Sequence, residues 1–247
     1  MIKIIIENDS FGNDYRTVII GNQQWTIDNL DIDKFRNGDS IQEVIPTQVN
    51  AWEVEKNNLN GEDLWHKNFI EKVPCYTYLA SIPDNNKRYG KLYNSAVIFD
   101  SRGIGPDNFR VPTIADFEKL RNTLGNESGT QLKSKKSTDL ALKKNNWASV
   151  VGIKTGNDKF GFNGLPSGFG DKTETQIFGM WYEYENRSAF YWTVDENNID
   201  PKGEISDVIS PCAAWLSYGS DELITGKPKY PMLTSAAALS IRLVRDI

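Results

Sequence analysis

Two pairs of acidic residues have the spacing that two-carboxylate catalysis needs. Glu183 and Glu185 are separated by one residue, and Asp195 and Glu196 are adjacent. On a β-strand, residues two apart project from the same face, and paired carboxylates can hydrolyse glycosidic bonds. Acids that alternate with aromatic residues are also typical of a half-solvated strand, and the neighbours here are Trp181, Tyr182 and Tyr184. We favour the solvated strand and expect no enzymatic activity.

The histidine and the cysteines form no catalytic or metal-binding motif. His66 is the single histidine, and no serine stands in a nucleophile motif such as G-x-S-x-G. Cys75 and Cys212 lack C-x-x-C partners, and they either form one disulfide or remain two free thiols. The polar run at 195–200 lacks the spacing of an EF-hand loop. We predict no catalytic residue, no metal, no cofactor, and a surface or partly packed His66.

A glycine-rich stretch at 156–173 does not have the spacing of a phosphate-binding loop. It contains five glycines and one proline. A Walker loop requires G-x-x-x-x-G-K-[ST], but Lys172 follows Asp171 instead of a glycine. The dinucleotide pattern G-x-G-x-x-G also fails, because Thr173 occupies the place of the third glycine. We interpret these glycines as turn residues.

Charge and hydropathy argue against nucleic-acid and membrane partners. The formal net charge is −5 and the pI is about 5.1, so no basic field attracts a phosphate backbone. The lysine-rich segment from Lys133 to Lys144 is therefore predicted to be solvated surface. No window approaches the roughly 18 apolar residues of a membrane span. The N-terminus lacks the apolar core of a secretion signal, so we expect neither secretion by that route nor membrane insertion.

Turn signals predict an α+β protein built as a single domain over residues 1–247. The dipeptide Gly21-Asn22 separates two apolar, alternating runs and predicts a β-hairpin. After Trp147, short β-like runs are divided by Gly, Pro, Asn and Ser. We expect mixed or antiparallel sheets, one or two helices, and a long, loop-rich second half.

The clearest helix signal lies in the stretch “VPTIADFEKLRNTLG”. Thr113 has the side chain of an N-cap, and Asp116 stands three residues later in a capping-box position. Phe117, Leu120 and Leu124 form an apolar stripe at helical spacing, and Gly125 supplies a stop. The stretch therefore predicts a helix between Thr113 and Gly125.

A series of short motifs runs through the chain in a fixed order. They are “IIGNQQWTIDNL”, “RYGKLYNSAVIFD”, “NFRVPTIADFEKL”, “FGFNGLPSGF” and “LSIRLVRD”. This order resembles the Fibrobacter succinogenes major paralogous domain family, whose motifs include “IGxQxWxxxNL”, “YGKLYNWYAV” and “GFSVRxVRD”. The resemblance covers residues 17–246. Phe109 and Phe117 stand where the family usually has tryptophan, so both positions remain aromatic.

The resemblance implies a C-type lectin-like fold. Such folds join their N- and C-terminal strands and present a binding surface from a long, irregular second half. The binding face would lie between Gly179 and Tyr230, and the candidate ligand-binding residues are Trp181, Tyr182, Tyr184, Asp195, Trp215, Ser217, Tyr218 and Asp221. Within this segment, Trp192 and Trp215 fit core packing better, whereas Tyr184, Tyr218 and Asp221 fit an exposed surface better.

The resemblance also bears on the glycine-rich stretch and on calcium. It implies turns with positive φ at Gly161, Gly164 and Gly168. In the same stretch, three apolar side chains are expected to hold the loop against the core: Phe160, Phe162 and Leu165. The Glu-Pro-Asn and Trp-Asn-Asp triplets of calcium-using lectins are missing, so calcium-dependent sugar binding is not implied.

Together these features lead us to expect a non-enzymatic binding or adhesion module. The preferred setting is the surface of a bacteriophage virion, where a fibre, tail or head decoration protein would recognise a host-surface glycan or protein. Other virion proteins, or further copies of the chain in a homotrimer, are the other expected partners. Three alternatives stay open: a carbohydrate-binding domain of a bacterial cell-surface lipoprotein, a carbohydrate-active enzyme that uses the paired carboxylates, and a purely structural virion protein.

Overall fold

The computed structural model describes residues 2–45, 64–79, 83–135, 147–148, 151–171, 181–185, 187–194, 213–227 and 236–247. The strands, numbered along the chain, are β1 (Ile4–Asn8), β2 (Asp14–Ile20), β3 (Gln23–Thr26), β4 (Gln42–Glu43), β5 (Cys75–Thr77), β6 (Leu92–Tyr93), β7 (Ser167–Asp171), β8 (Trp181–Glu185), β9 (Ser188–Trp192), β10 (Ala213–Ser217), β11 (Ile224–Gly226) and β12 (Val244–Asp246). The helices are α1 (Leu64–Ile70), α2 (Asn86–Tyr89), α3 (Ser95–Ile98), α4 (Ile114–Leu124) and α5 (Ser128–Leu132).

The terminal sheet brings the two ends of the chain together. Its strand order is β1-β2-β3-β12, and every pair is antiparallel. Ile20 pairs with Gln23 across the turn at Gly21, which confirms the predicted hairpin. Val244 of β12 pairs with Trp25 of β3. The joined N- and C-terminal strands that the resemblance implied are therefore present.

Buried apolar side chains form three clusters. The first core cluster includes Phe35, Tyr93, Phe109, Phe190, Trp192 and Leu239. The second core cluster includes Trp25, Phe117, Leu120, Phe162, Tyr191 and Leu216. A smaller third cluster lies beside the three-stranded sheet β4-β5-β6 and includes Trp65, Cys75, Leu79 and Tyr89.

The second sheet lies between the first and second core clusters. Its strand order is β11-β10-β9-β7-β8, with β7 parallel to β9 and the other pairs antiparallel. On β9, Phe190 and Trp192 belong to the first core cluster, whereas Ala189 and Tyr191 belong to the second. This follows from the alternation of side chains along a strand. Trp192 is completely buried, which confirms its predicted place in the core.

The helices are more numerous and shorter than the sequence indicates. One or two were expected, but the described residues contain five α-helices, four of them seven residues or shorter, and one 3₁₀ helix at Pro83–Asn85. The predicted helix is α4. Thr113 is its N-cap and forms a capping box with Asp116, and Gly125 ends it. No helix among the described residues combines the length and the apolar character that crossing a bilayer requires.

The glycine-rich stretch packs against the core as expected, with one correction. Gly161 and Gly168 have φ of 80° and 62°, as predicted. Gly164 does not adopt positive φ; instead, a Cβ there would lie 2.5 Å from Leu216 Cδ1 and 3.0 Å from Leu132 O. The prediction was wrong because close packing, and not backbone conformation, requires this glycine. Phe162 is fully buried, and the other two predicted contacts, Phe160 and Leu165, are partly buried.

A buried arginine connects the C-terminal segment to the rest of the core. Arg242 has no exposed surface, and its guanidinium donates to Thr26 O at 2.8 Å and to Phe162 O at 2.9 Å. Its Nε donates to Asn29 Oδ1 at 2.7 Å. The guanidinium also lies over the ring of Phe162, 4.7 Å from its centroid. The cation therefore links the C-terminal segment, the first hairpin and the glycine-rich stretch.

Candidate functional site

Four of the eight predicted ligand-binding residues cannot be placed by their side chains. Three of them are described only by their backbone, and the fourth lies outside the described residues. Trp181, Tyr182 and Tyr184 lie on β8, the last strand of the second sheet. Trp181 pairs with Asp171 and Tyr182 with Gly170 of β7. Asp195, like its neighbour Glu196, lies outside the described residues. Of the paired carboxylates, Glu183 pairs with Phe169 and Glu185 with Ser167 on β7.

Trp215 is both packed and accessible. It lies on β10 directly opposite Phe190, and the two rings stack with centroids 5.8 Å apart and planes 18° apart. Phe190 in turn contacts Phe169 edge to face at 5.1 Å. Trp215 is nevertheless only partly buried against the first core cluster. One face of the indole thus packs on a row of aromatic rings, while the residue as a whole remains partly exposed.

Tyr218 follows the end of β10 and meets a cation. Its ring is partly buried against the second core cluster, and its backbone N–H donates to Arg187 O at 2.7 Å. The exposed guanidinium of Arg187 lies 5.8 Å from the ring centroid. Beside them, Ser217 Oγ accepts from Gly219 N at 3.2 Å. We define the β10 end face as Trp215, Ser217, Tyr218 and Arg187.

Asp221 holds the loop after Tyr218 in place. Its Oδ1 accepts from Thr130 Oγ1 and from Lys154 N, both at 2.9 Å. Partial desolvation raises the pKa of Asp221, but these hydrogen bonds and the charges of Lys133 and Lys154 outweigh it and keep the pKa below its usual value. Asp221 therefore uses its Oδ1 for hydrogen bonds within the chain. The bond to Thr130 joins the loop to α5.

Glu222 fastens the same loop to the start of α5. Its carboxylate accepts from Ser128 Oγ at 2.6 Å and from Glu127 N at 2.8 Å. These hydrogen bonds, with the Ser128 hydroxyl first, lower the pKa of Glu222. In return, Leu223 N donates to Ser128 Oγ at 3.0 Å. The backbone groups at the start of a helix lack intrahelical partners, and Glu222 satisfies them from a distant part of the chain.

Lys133 is buried and hydrogen-bonds to the 217–223 loop, whereas the sequence predicted a solvated lysine. Only 1% of this residue is exposed. Its Nζ donates to Ser220 O at 2.6 Å and lies 5.4 Å from the ring of Trp147. Burial lowers the pKa of Lys133 to about 8. The prediction was wrong because Lys133 directly follows α5, whose residues are all buried; residues 136–146 lie outside the described residues.

The remaining chemistry-bearing residues are packed. His66 on α1 is partly buried, with its ring 6.2 Å from that of Phe69. Cys75 is a buried free thiol, and burial raises its pKa to about 12, which makes it a poor nucleophile at neutral pH. Cys212 lies outside the described residues. Within the described part of the chain, no three His, Cys, Asp or Glu side chains are grouped as metal ligands.

The β10 end face contains three of the predicted residues and one that sequence reasoning missed; Trp215 packs toward the first core cluster and Tyr218 toward the second. Trp215 and Ser217 share a face of β10, and Tyr218 follows directly. Arg187 was missed because its contact with Tyr218 depends on the pairing of β9 with β10, which no local pattern encodes. An arginine immediately before an aromatic strand is the only available signal.

A match to a known protein family extends over nearly the whole chain. No curated protein and no solved structure matches it. The family model of the Fibrobacter succinogenes major domain matches residues 18–245, and this span contains the second core cluster, the first core cluster except Tyr15, and the β10 end face. The chain belongs to the Fibrobacter succinogenes major domain family.

Proposed function

We propose that this protein is a non-enzymatic binding module that recognises a glycan or protein surface through the β10 end face. One observation carries the proposal: partly exposed Trp215 and Tyr218 are held against two different core clusters. Partly exposed aromatic side chains offer large contact areas at a low cost in conformational entropy. Arg187 and the hydroxyl of Ser217 add the polar groups that fix the orientation of a ligand.

The support beneath the face favours binding without rearrangement. Asp221, Glu222 and Lys133 each hold the 217–223 loop through hydrogen bonds to other elements. A loop that is already ordered loses less conformational freedom when it binds. The proposal therefore assigns Asp221 to positioning the loop and not to the ligand.

We also propose that the fold is C-type lectin-like. The joined terminal strands and the separate second sheet, from which the candidate face extends, support this proposal. The proposed setting is the surface of a bacteriophage virion, with a bacterial cell surface as the alternative. Immunogold labelling of virions and of cells distinguishes the two settings.

The binding proposal is tested on a glycan array and on intact bacteria with labelled protein. Tyr218→Ala should weaken binding by about tenfold or more, because central aromatic contacts dominate interfaces. Phe160→Ala is the matched control. Phe160 is also partly buried against the second core cluster and lies under a cation, with Lys159 at 5.3 Å. Equal losses in both variants would indicate a general structural effect and contradict the assigned face.

The enzyme alternative is tested on the same glycans. The proposal predicts binding without turnover, so product analysis by mass spectrometry should find intact glycan. Hydrolysis that disappears in Glu183→Gln or Asp195→Asn would instead establish a carbohydrate-active enzyme and overturn the non-enzymatic assignment.

A further inference from the structure

The outer edge of β1 is open in the terminal sheet. β1 pairs with β2 on one side, and no described strand pairs with its other side. An edge strand presents unpaired N–H and C=O groups that another strand can complete. β1 and its flanking residues contain no proline that would block such pairing.

Isoleucines make this edge apolar on one face. Ile4 and Ile6 are each 51% exposed, and Ile2, which continues the spacing before β1, is 40% exposed. Residues two apart share a face of a strand, so Ile4 and Ile6 form an aliphatic stripe. Ile2 lies just before this stripe, and its Cγ2 is 2.9 Å from the position of a Cβ at Gly161. Exposed contiguous apolar surface of this kind is typical of an interface.

The sequence of β1 is complementary to itself when it runs antiparallel. A twofold axis through Ile5 places Lys3 opposite the partner's Glu7, and Glu7 opposite the partner's Lys3. The same register places Ile4 opposite the partner's Ile6. Both ion pairs form on one face, and the isoleucine stripes of the two copies become continuous on the other face.

Other registers lose this match. A shift of the axis to Ile4 places Lys3 opposite the partner's Ile5, and a shift to Ile6 places Glu7 opposite the partner's Ile5. A slip of one residue in the pairing would move every side chain to the other face. Of these axes, only the one at Ile5 places opposite charges opposite each other and also aligns the isoleucines of the two copies.

The acidic partner of this pairing is already held in position. Glu7 accepts from Arg245 Nη2 at 2.7 Å and from Gln24 Nε2 at 3.0 Å. Lys3 is exposed. Both of these donors lie on the strands β3 and β12, so the Lys3 of a second copy shares with Arg245 a carboxylate that is already paired, and the added attraction is modest.

We propose that two copies of the chain pair edge to edge through β1, antiparallel about a twofold axis at Ile5, and so join their terminal sheets into one continuous sheet. The contact is isologous, since the same surface serves both copies. It differs from the homotrimer expected for a virion protein, and it leaves the β10 end face free of any role in assembly.

The oligomeric state of the full chain tests this proposal, by analytical ultracentrifugation across a micromolar concentration series. The wild type should form a dimer. Ile6→Lys should raise the dimer dissociation constant by about a hundredfold, because each copy adds an unpaired buried ammonium. Lys3→Glu should raise it by about tenfold, since two attractions become two repulsions. The control is Ile19→Lys, which changes a 43% exposed isoleucine on the neighbouring strand and should leave dimerisation intact.

The register is tested separately with a short thiol-reactive crosslinker. Ile5→Cys chains should crosslink to each other, whereas Ile19→Cys chains and the wild type, with its native cysteines, should not. Circular dichroism confirms that each variant is folded. A monomeric or trimeric wild type, or a dimer that Ile6→Lys leaves unchanged, would overturn the proposal. A dimer that is sensitive to Ile6→Lys but insensitive to Lys3→Glu, with no crosslink at position 5, would overturn the register.

Discussion

Two buried cations support different regions of this protein, and they do so in different ways. Arg242 joins the terminal sheet to the glycine-rich stretch, and its donors reach the backbone of Thr26 and Phe162 and the side chain of Asn29. Lys133 supports the loop behind the β10 end face, with Ser220 O as acceptor. Arginine remains charged at all accessible pH values, whereas a buried lysine can lose its proton. The contribution of Arg242 therefore does not depend on pH, whereas the loop behind the β10 end face is linked to a titratable group.

The largest expected effect comes from removing the arginine. Arg242→Met should lower the free energy of unfolding by about 3–5 kcal/mol, because several buried acceptors lose their donors at once. Urea denaturation measures this change. Arg187→Met is the control, and its exposed side chain predicts a change within about 0.5 kcal/mol. Similar losses in the two variants would contradict the structural role assigned to Arg242.

The next effect tests the packing between the two regions. Gly164→Ala should cost about 1–3 kcal/mol, because the new Cβ would approach Leu216 Cδ1 to 2.5 Å. Gly219→Ala is the matched control, since its Cβ would meet only Ser217 Oγ at 3.8 Å. Thermal and urea unfolding should separate the two variants, and a stable Gly164→Ala would show that the contact relaxes easily.

Lys133 should make stability depend on pH. Burial lowers its pKa to about 8, against 10.5 for an ordinary lysine. Between these values the unfolded chain binds more protons than the folded chain, so the free energy of unfolding rises with pH. We expect the Lys133 contribution to rise by about 2 kcal/mol from pH 8 to pH 10.

The measurement is the difference between the unfolding free energies of the wild type and Lys133→Met at each pH. Subtraction removes the contribution of the tyrosines that titrate in the same range. The difference should change in favour of the wild type as pH rises. A constant difference would mean that Lys133 keeps an ordinary pKa in the folded protein.

The smallest effect concerns the hydrogen bonds by which Glu222 joins the 217–223 loop to the start of α5. Glu222→Ala should cost about 1 kcal/mol, because the backbone and hydroxyl donors at the start of α5 lose their acceptor. Glu118→Ala is the control, as Glu118 is exposed on α4 and its carboxylate lies 3.9 Å from Arg121; a surface pair of this kind contributes about 0.2–1 kcal/mol at most. Urea denaturation at neutral pH should find the larger loss in Glu222→Ala, and the reverse order would contradict the cap.

Sequence reasoning succeeded where the determining contacts are local. Helix α4 could be placed because its cap, Thr113 with Asp116, and its stop, Gly125, lie within the same short stretch. The hairpin at Gly21 is defined in the same way. The sequence did not reveal that Arg242 is buried and links distant segments, because its acceptors lie more than 70 positions away along the chain. Long-range hydrogen bonding leaves no periodic pattern in the sequence.

The candidate site shows the same division. Tyr218 was predicted beside turn residues and is indeed partly exposed. The in-chain use of Asp221 was not predictable, because its partners Thr130 and Lys154 come from separate segments. Lys133 was predicted to be solvated because the lysine-rich segment as a whole is polar. Its own burial depends on its position directly after α5, which composition does not reveal.

Hydrogen–deuterium exchange of the protein bound to the strongest glycan of the array tests whether the β10 end face is the binding site. We expect slower exchange in segments that contain Arg187 and Trp215–Asp221, and no change in the segment that contains Lys159 and Phe160. Protection of the Lys159 segment, or of any other surface with Trp215–Asp221 unchanged, would contradict the assignment of the β10 end face as the binding site.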